Sequence, residues 1–462
     1  MPTEKIADLR KHLTGRVILP NDAEYDVARK VYNGLIGKRP ALIVYCTDVE
    51  DVRTCLNFAS KNNMALAVRC GGHNAAGFGI CDGGLVVDLS QLKSIKVNAG
   101  DKTVRVGGGC LLKEIDAATH EHGMAVPLGF YGGTGIGGLT LGGGLGYLTR
   151  QYGLTIDNLL EADVVLANGE LVKASAKENS DLFWALRGGG GNFGVVVSFL
   201  FKLNPVHTVY GGLMLWAWEE SREVMQWYHQ FITSAPNDVY GFFAVLIVPP
   251  GEPFPPHLHN QKVCGVVWCY NGDMQLAEEV FAPIRSFRKP VLDLVGPMPF
   301  TAIQTMFDAM YPAGMNWYWK AHFIKDLDDS AIEVFLKHGE QMPTLLSSMH
   351  MYPVNGAAAQ FNKDETAWNY RNANYSVIIM GIDSDPAGKD VVTQWAREYW
   401  SALQPYSLGG AYVNFIMDEG LESVKANYGD NYERLVQIKT KYDPENLFRI
   451  NQNIKPAGNR LP

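Results

Sequence analysis

Blocks of lysine and arginine are missing from this 462-residue chain, whose formal net charge is -8. Nucleic acid is therefore not an expected partner, because holding phosphate backbones needs concentrated positive charge. No apolar run of 18 residues occurs, so neither a transmembrane helix nor a membrane partner is expected. Residues 1–16 are charged and lack the apolar centre of a secretory signal. The seven cysteines (Cys46, Cys55, Cys70, Cys81, Cys110, Cys264 and Cys269) form no Cys-x-x-Cys pair. Their odd number does not make a complete disulfide framework, and a reducing cytoplasm is the expected location. Also absent are Gly-x-x-x-x-Gly-Lys-Ser/Thr, which excludes a P-loop, and Gly-x-Ser-x-Gly, which leaves serine hydrolysis without support. His120, His122, His257 and His259 lack further ligand types at metal spacing, so no metal is expected.

What is present is the composition of a soluble globular protein, 47% hydrophobic and 19% charged. The length exceeds one ordinary core, so two domains are expected. Over the first 200 residues short strands alternate with helices. Strands are predicted at 41–46, 65–69, 85–89, 103–106, 162–166 and 195–203, with a helix at 111–122 closed by Gly123. Thr47-Asp48-Val49-Glu50 reads as a capping box opening a helix to about Lys61. Near Pro205 the character changes: nine of ten tryptophans lie beyond it and the dense glycine clusters stop. Strand-like runs at 213–218, 242–248, 263–270 and 375–382 then alternate with helical ones at 219–231, 275–287, 330–342 and 389–403. This pattern predicts an antiparallel sheet with helices on one face, an α+β fold.

Three of those glycine clusters carry the chemistry. They are Arg69-Cys70-Gly71-Gly72-His73-Asn74-Ala75-Ala76-Gly77, the run from Thr134-Gly135 through Gly138-Leu139-Thr140-Leu141-Gly142-Gly143-Gly144 to Tyr147, and Arg187-Gly188-Gly189-Gly190-Gly191-Asn192-Phe193-Gly194-Val195. Glycine lets main chain approach a ligand closely, and successive amides form nests for anionic oxygens without any lysine. A dinucleotide pyrophosphate is the expected guest. Gly133-x-Gly135-x-x-Gly138 matches the Rossmann fingerprint, with Asp157 about 20 residues on. No strand immediately precedes it, and four further glycines follow where a helix is required, so the match reads as a decoy. Gly189-x-Gly191-x-x-Gly194 runs in the reverse order, from helix to strand.

Together these stretches resemble the vanillyl-alcohol oxidase / p-cresol methylhydroxylase flavoproteins, and most closely their berberine-bridge-enzyme-like branch. Arg69-x-Gly71-Gly72-His73-Asn74 is similar to the branch's flavin-attachment loop. The second loop continues into Arg150-x-Tyr152-Gly153-Leu154-x-x-Asp157-Asn158, and the third begins at Phe183-Trp184. The closing signature is matched by Tyr428-Gly429-x-Asn431-Tyr432-x-Arg434-Leu435 and by Tyr442-Asp443-Pro444 through Asn451-Gln452-Asn453-Ile454. The resemblance implies a split fold: an FAD-binding domain from 1–204 and 420–462, and a substrate-binding domain from 205–419 with a large antiparallel sheet.

It also implies residue roles. His73 would be bonded to the flavin, and a neutral imidazole is a suitable nucleophile. Many members add a second bond through cysteine, but the matching position is Tyr131, so a single link is expected, as in the 6-hydroxynicotine oxidase type. Arg69, Gly71, Gly72, Asn74, Gly77, Thr134, Gly135, Gly138, Leu139, Gly142, Gly143, Gly144, Tyr147, Asp157, Asn158, Gly190, Asn192, Gly194, Val195, Asn451 and Asn453 would line the cofactor. Tyr428, and with it Tyr147, matches a site tyrosine that serves relatives as general base. The acidic or amide residue of plant members falls at Ile378, which is apolar. Trp317, Trp319 and Trp368 could stack on a ring substrate or simply fill the core, and Lys320 lies among them. The expected activity is hydride transfer from a C–H beside a hydroxyl, in a secondary alcohol or sugar-like small molecule, to FAD, with O2 or another acceptor reoxidising it. The alternatives are a cyclic amine oxidase and a flavin-binding protein without turnover. Nothing in these patterns specifies an oligomeric state.

Overall fold

Short β-branched runs near the N-terminus form a mainly parallel sheet. In the computed structural model, which describes residues 3–458, strands Leu42–Tyr45, Leu85–Asp88 and Leu66–Arg69 run parallel, with Arg16–Ile18 antiparallel at the edge. Their almost wholly apolar character suits a sheet covered on both faces. Helix Val49–Lys61 makes the crossover. Its N-cap is Asp48 rather than Thr47: the Asp48 carboxylate accepts from the Asp51 amide. Thr47 is drawn away because its hydroxyl donates to the Asp51 carboxylate (2.9 Å), while Glu50 pairs with Arg53.

A five-stranded antiparallel sheet follows, in the order Ile95–Asn98, Thr103–Gly107, Val195–Lys202, Leu159–Val165, Leu171–Ser175. Between its strands the second glycine cluster forms a short helix, Ile136–Gly142, where the glycine count argued against one. Packing overrides propensity at the end of this helix, where a Cβ on Gly142 would lie 2.4 Å from the Asn414 carboxamide. The helix stops where Gly143 takes φ 130°. No strand leads into it, so the Rossmann arrangement is absent as expected.

Residues 208–383 build an eight-stranded antiparallel sheet whose long strands are Thr208–Ala217, Lys262–Tyr270, Val239–Ile247, Ser348–Pro353, Tyr375–Asp383 and Asn316–Ile324, in that spatial order. Helices Ser221–Ser234, Ala277–Phe287, Asp329–Glu340 and Lys389–Leu403 cover one face. Trp216, Tyr228, Phe243, Trp268, Phe335 and Tyr399 are buried in that layer. The opposite face, with Phe242, Trp317, Trp319, Tyr352 and Ile378, joins the core shared with the N-terminal half. The architecture is the α+β fold predicted. Strand Ser348–Pro353, mixing His, Met and Pro, gave no sequence signal, because both its faces are buried and no polar alternation marks it. The C-terminal helix Tyr432–Tyr442 returns to pack on Ser180–Leu186. Among the described residues no helix is long and apolar enough to cross a membrane.

Among the buried polar contacts between the two halves, one holds a carboxyl with a shifted pKa. Asp116, on helix Leu112–His120, accepts from the Gln304 carboxamide (3.0 Å). Burial raises its pKa to about 7. Asp116 Oδ1 and Gln304 Oε1 both lack partners, and a protonated carboxyl would join them in a cyclic acid–amide pair. Because the folded pKa lies above the ordinary value of 3.8, this group's stabilisation is complete below that value. It drains away as pH rises toward about 7. Asp116→Asn keeps the shape and cannot ionise. At pH 8 the variant is expected to be more stable than the parent by about 1–3 kcal/mol. The gap should close at pH 4–5, as read from thermal melts. A gap independent of pH would contradict the protonated pair.

Candidate active site

The end of strand Leu66–Arg69 sets the site. Arg69 and its in-register neighbour Asp88 form an ion pair buried at 2.5 Å, which anchors the turn that follows. Gly72 then takes φ +64°, in the left-handed region that glycine occupies without strain. Among the described residues, the amides of Gly72, His73 and Asn74 donate to no main-chain carbonyl, which leaves them free to form a nest for an anionic group. The second glycine loop crosses at contact distance: a Cβ on Gly71 would lie 2.6 Å from the Gly135 amide nitrogen. Gly138 and Gly191 would meet nothing within 4 Å, and both line a cavity of about 350 Å3 between the two halves.

His73 stands at the edge of this cavity with its ring stacked on Tyr32, centroids 3.8 Å apart. Burial lowers its pKa to about 4, so the ring is neutral at physiological pH. Its Nε2 has no hydrogen-bond partner. Tyr131, where a second attachment residue was sought, lies 5.0 Å from the His73 ring. The Asn451 carboxamide donates to the Gly191 carbonyl (3.0 Å) and to Phe448, while its Oδ1 is buried and unpaired beside the cavity. An unpaired imidazole nitrogen, a row of free amides and glycines that leave room for a ligand fit a dinucleotide with a reactive ring.

Most expected cofactor residues do line the cavity: Arg69, Gly71, Gly72, His73, Asn74, Thr134, Gly135, Gly138, Leu139, Gly190, Gly194, Val195 and Asn451. Nine do not, and each is engaged elsewhere or displaced. Gly77 packs against Ile36, Gly142 against Asn414 and Gly143 against Trp368, while the Gly144 amide donates to the Tyr412 hydroxyl. Asn192 braces the third loop by donating to Gly189 and Gln452. Its own carbonyl accepts from buried Lys439 (2.8 Å). Asn158 donates to the Tyr152 and Leu154 carbonyls. Asp157 makes a bidentate pair with Arg371 (2.7 and 2.8 Å), both fully enclosed, so its role is to tie the halves together. Asn453 lies outside the cavity, next to Gln452, which does line it.

The two tyrosines expected to act as bases are not set up for it. Tyr428 reaches the cavity, but its hydroxyl donates to the Gly189 carbonyl (3.1 Å), and burial beside Tyr432 drives its pKa upward. Tyr147 sits behind Phe130, buried, with its pKa raised well above the ordinary value by desolvation. A phenol held neutral can donate a hydrogen bond but does not collect a proton at neutral pH. Of the aromatic clusters, Trp317 and Trp319 do line the cavity. Trp368 instead covers Gly143, and Lys320 is paired with Glu419 (2.7 Å) away from it. Sequence reasoning missed Tyr32, His350, Tyr352 and the segment Tyr412–Phe415, all on the cavity wall. None belongs to the motifs above: strand register reveals His350 and Tyr352, while Tyr32 and Tyr412–Phe415 reach the wall from segments outside the sheets.

Family models agree with this geometry: one described as FAD binding domain matches residues 40–175, and one described as Berberine and berberine like matches 411–455. The chain is 33% identical to an FAD-linked oxidoreductase of Dictyostelium discoideum, over 99% of this chain and 98% of that protein. It is 28% identical to (R)-6-hydroxynicotine oxidase of Paenarthrobacter nicotinovorans, over 96% and 98%. The crystal structure of 6-hydroxy-D-nicotine oxidase from Arthrobacter nicotinovorans superposes with a TM-score of 0.86 at 27% identity, covering 96% of this chain and 98% of that one. With its glycine cradle, its attachment-loop histidine and full-length relatives of this kind, the chain belongs to the FAD-linked oxidoreductases of the berberine-bridge-enzyme-like branch.

Proposed function

We propose that this oxidoreductase holds FAD through one covalent bond at His73 and oxidises a small organic molecule at a C–H bond beside a hydroxyl or an amine. The observation that carries the reading is the unpaired Nε2 of a neutral His73 at the mouth of the glycine cradle. When bound, FAD supplies a hydride acceptor that O2 or another oxidant can restore. The chain's residues do the rest. Free amides from Gly72 to Asn74 would hold anionic oxygens, and the mostly apolar wall of the cavity disfavours water beside the reacting bond.

Of the substrate kinds expected from sequence, the cavity wall weighs against a sugar. Phe130, Phe242, Phe307, Trp317, Trp319 and Met380 face it, and such walls offer few partners for many hydroxyls. A ring-bearing alcohol or an amine in its free-base form suits them better. The free base also needs no strong proton acceptor, which matches the state of Tyr428 and Tyr147. All seven cysteines are free thiols, which supports a reducing cytoplasmic setting.

Acid precipitation of the purified protein should leave yellow colour in the pellet. His73→Ala should release it to the supernatant, and wild-type pigment that washes out would defeat the covalent assignment. Gly138→Ala separates cradle from scaffold. The new methyl enters open cavity space, while alanine favours the helix by about 1 kcal/mol. The variant should melt no lower than the parent in its flavin-free form. Its flavin content per protein, read by absorbance, should fall roughly tenfold, by the cost of overpacking. Unchanged flavin content would remove Gly138 from the cradle.

A further inference from the structure

The sheet face above the cofactor cradle is apolar except at its centre. Across neighbouring strands, one row runs Gly265, Ala244, His350, Ile378, Ala321. His350 stands between Ala244 on one neighbouring strand and Ile378 on the other, so space opens on its alanine side, with Phe242 (5.3 Å) and Tyr311 (6.4 Å) around the ring. Ile378 is the position where a carboxylate or amide was sought from sequence, and His350 is its cross-strand partner.

His350 is 7% exposed and lines the cavity. Its Nδ1 is 2.7 Å from the Tyr352 hydroxyl. Its Nε2 has no protein partner, yet it is not sealed off as the indole nitrogens of Trp317 and Trp319 are. The open space beside it is the cavity. The titratable groups that face the ring are Tyr311 and Tyr352, and desolvation alone accounts for a pKa lowered to about 3. The imidazole is therefore neutral, and so is the Tyr352 phenol, whose pKa burial raises well above the ordinary value.

Such a pair has two equivalent settings. With the phenol donating to Nδ1, the imidazole offers Nε2–H and the phenol oxygen offers a lone pair. With Nδ1–H donating to the phenol, Nε2 becomes the acceptor and the hydroxyl the donor. Either a hydroxyl or the carbonyl it becomes on oxidation can thus be met without leaving a buried polar group unpaired, while a charged group would find no counter-ion. The geometry points to a substrate-recognition subsite at His350 and Tyr352 that anchors the single polar group of an uncharged aromatic molecule. This assignment rests on the oxidoreductase reading for its place above the cofactor, but it concerns binding and not turnover.

The test uses the holoenzyme at pH 7.5, titrated with benzyl alcohol, toluene and benzylammonium, with affinity read by calorimetry and by flavin difference spectra. Benzyl alcohol should bind wild type at least roughly tenfold more tightly than benzylammonium. His350→Leu should weaken benzyl alcohol by about tenfold or more and leave toluene within about twofold. Tyr352→Phe, which removes one oxygen and keeps the ring, should shift the alcohol-to-toluene ratio in the same direction. Toluene binding reports that the pocket is intact in each variant. The subsite is overturned if both variants keep the wild-type alcohol-to-toluene ratio, or if wild type binds neither neutral probe or prefers the ammonium ion. The oxidoreductase reading fails separately, through flavin that no alcohol or amine bleaches under anaerobic conditions, whatever the probe affinities are.

Discussion

Two stretches of main chain meet with no side chain between them, and the rest of the site depends on that contact. Gly71 and Gly135 sit so close that a methyl group on either would strike the other loop. The approach brings His73, the free amides of its loop and the start of helix Ile136–Gly142 to one edge of the cavity. Substitution at either glycine would do more than crowd a ligand, because it would push two load-carrying loops apart. The buried Arg69–Asp88 pair supports one side of the contact, and its loss would leave an uncompensated charge costing several kcal/mol.

On that base the molecule divides its labour. The glycine loops supply main-chain donors and space, and the eight-stranded sheet supplies a ceiling that is aromatic and nearly free of polar groups. Between them the ionisable groups are held in neutral form by desolvation: His73, His350, Tyr352 and Tyr428 all have pKa values moved away from charge. A site built this way admits uncharged molecules more readily than charged ones, because a charge would find no counter-ion there.

The glycine clusters made the cradle legible in the sequence, although Gly77, Gly142 and Gly143 within them prove to serve packing and not the cavity. Periodicity gave four of the long strands and the covering helices after Pro205, with helix Lys389–Leu403 matched at both ends, but not strands Asn316–Ile324 and Ser348–Pro353. Two kinds of feature were hidden. Residues inside a motif need not touch the ligand: Asp157 and Asn192 look like cofactor residues but serve as struts. Conversely, His350 belongs to no motif and acquires meaning only from strand register, which a single sequence does not encode when both faces of a strand are buried. The helix at Ile136–Gly142 was obscured because propensity penalises glycine, whereas close packing against Asn414 requires it at Gly142 and Gly138 leaves cavity space open.

The Asp157–Arg371 bridge joins positions 214 residues apart, and the last wall of the cavity includes Tyr428 and Asn451. Joining positions so far apart carries the entropy cost of closing a very long loop. During synthesis the N-terminal sheets can assemble while the ceiling and the closing helices are still to be made. The cavity that would receive flavin is therefore complete only once residues from far-apart parts of the sequence have come together.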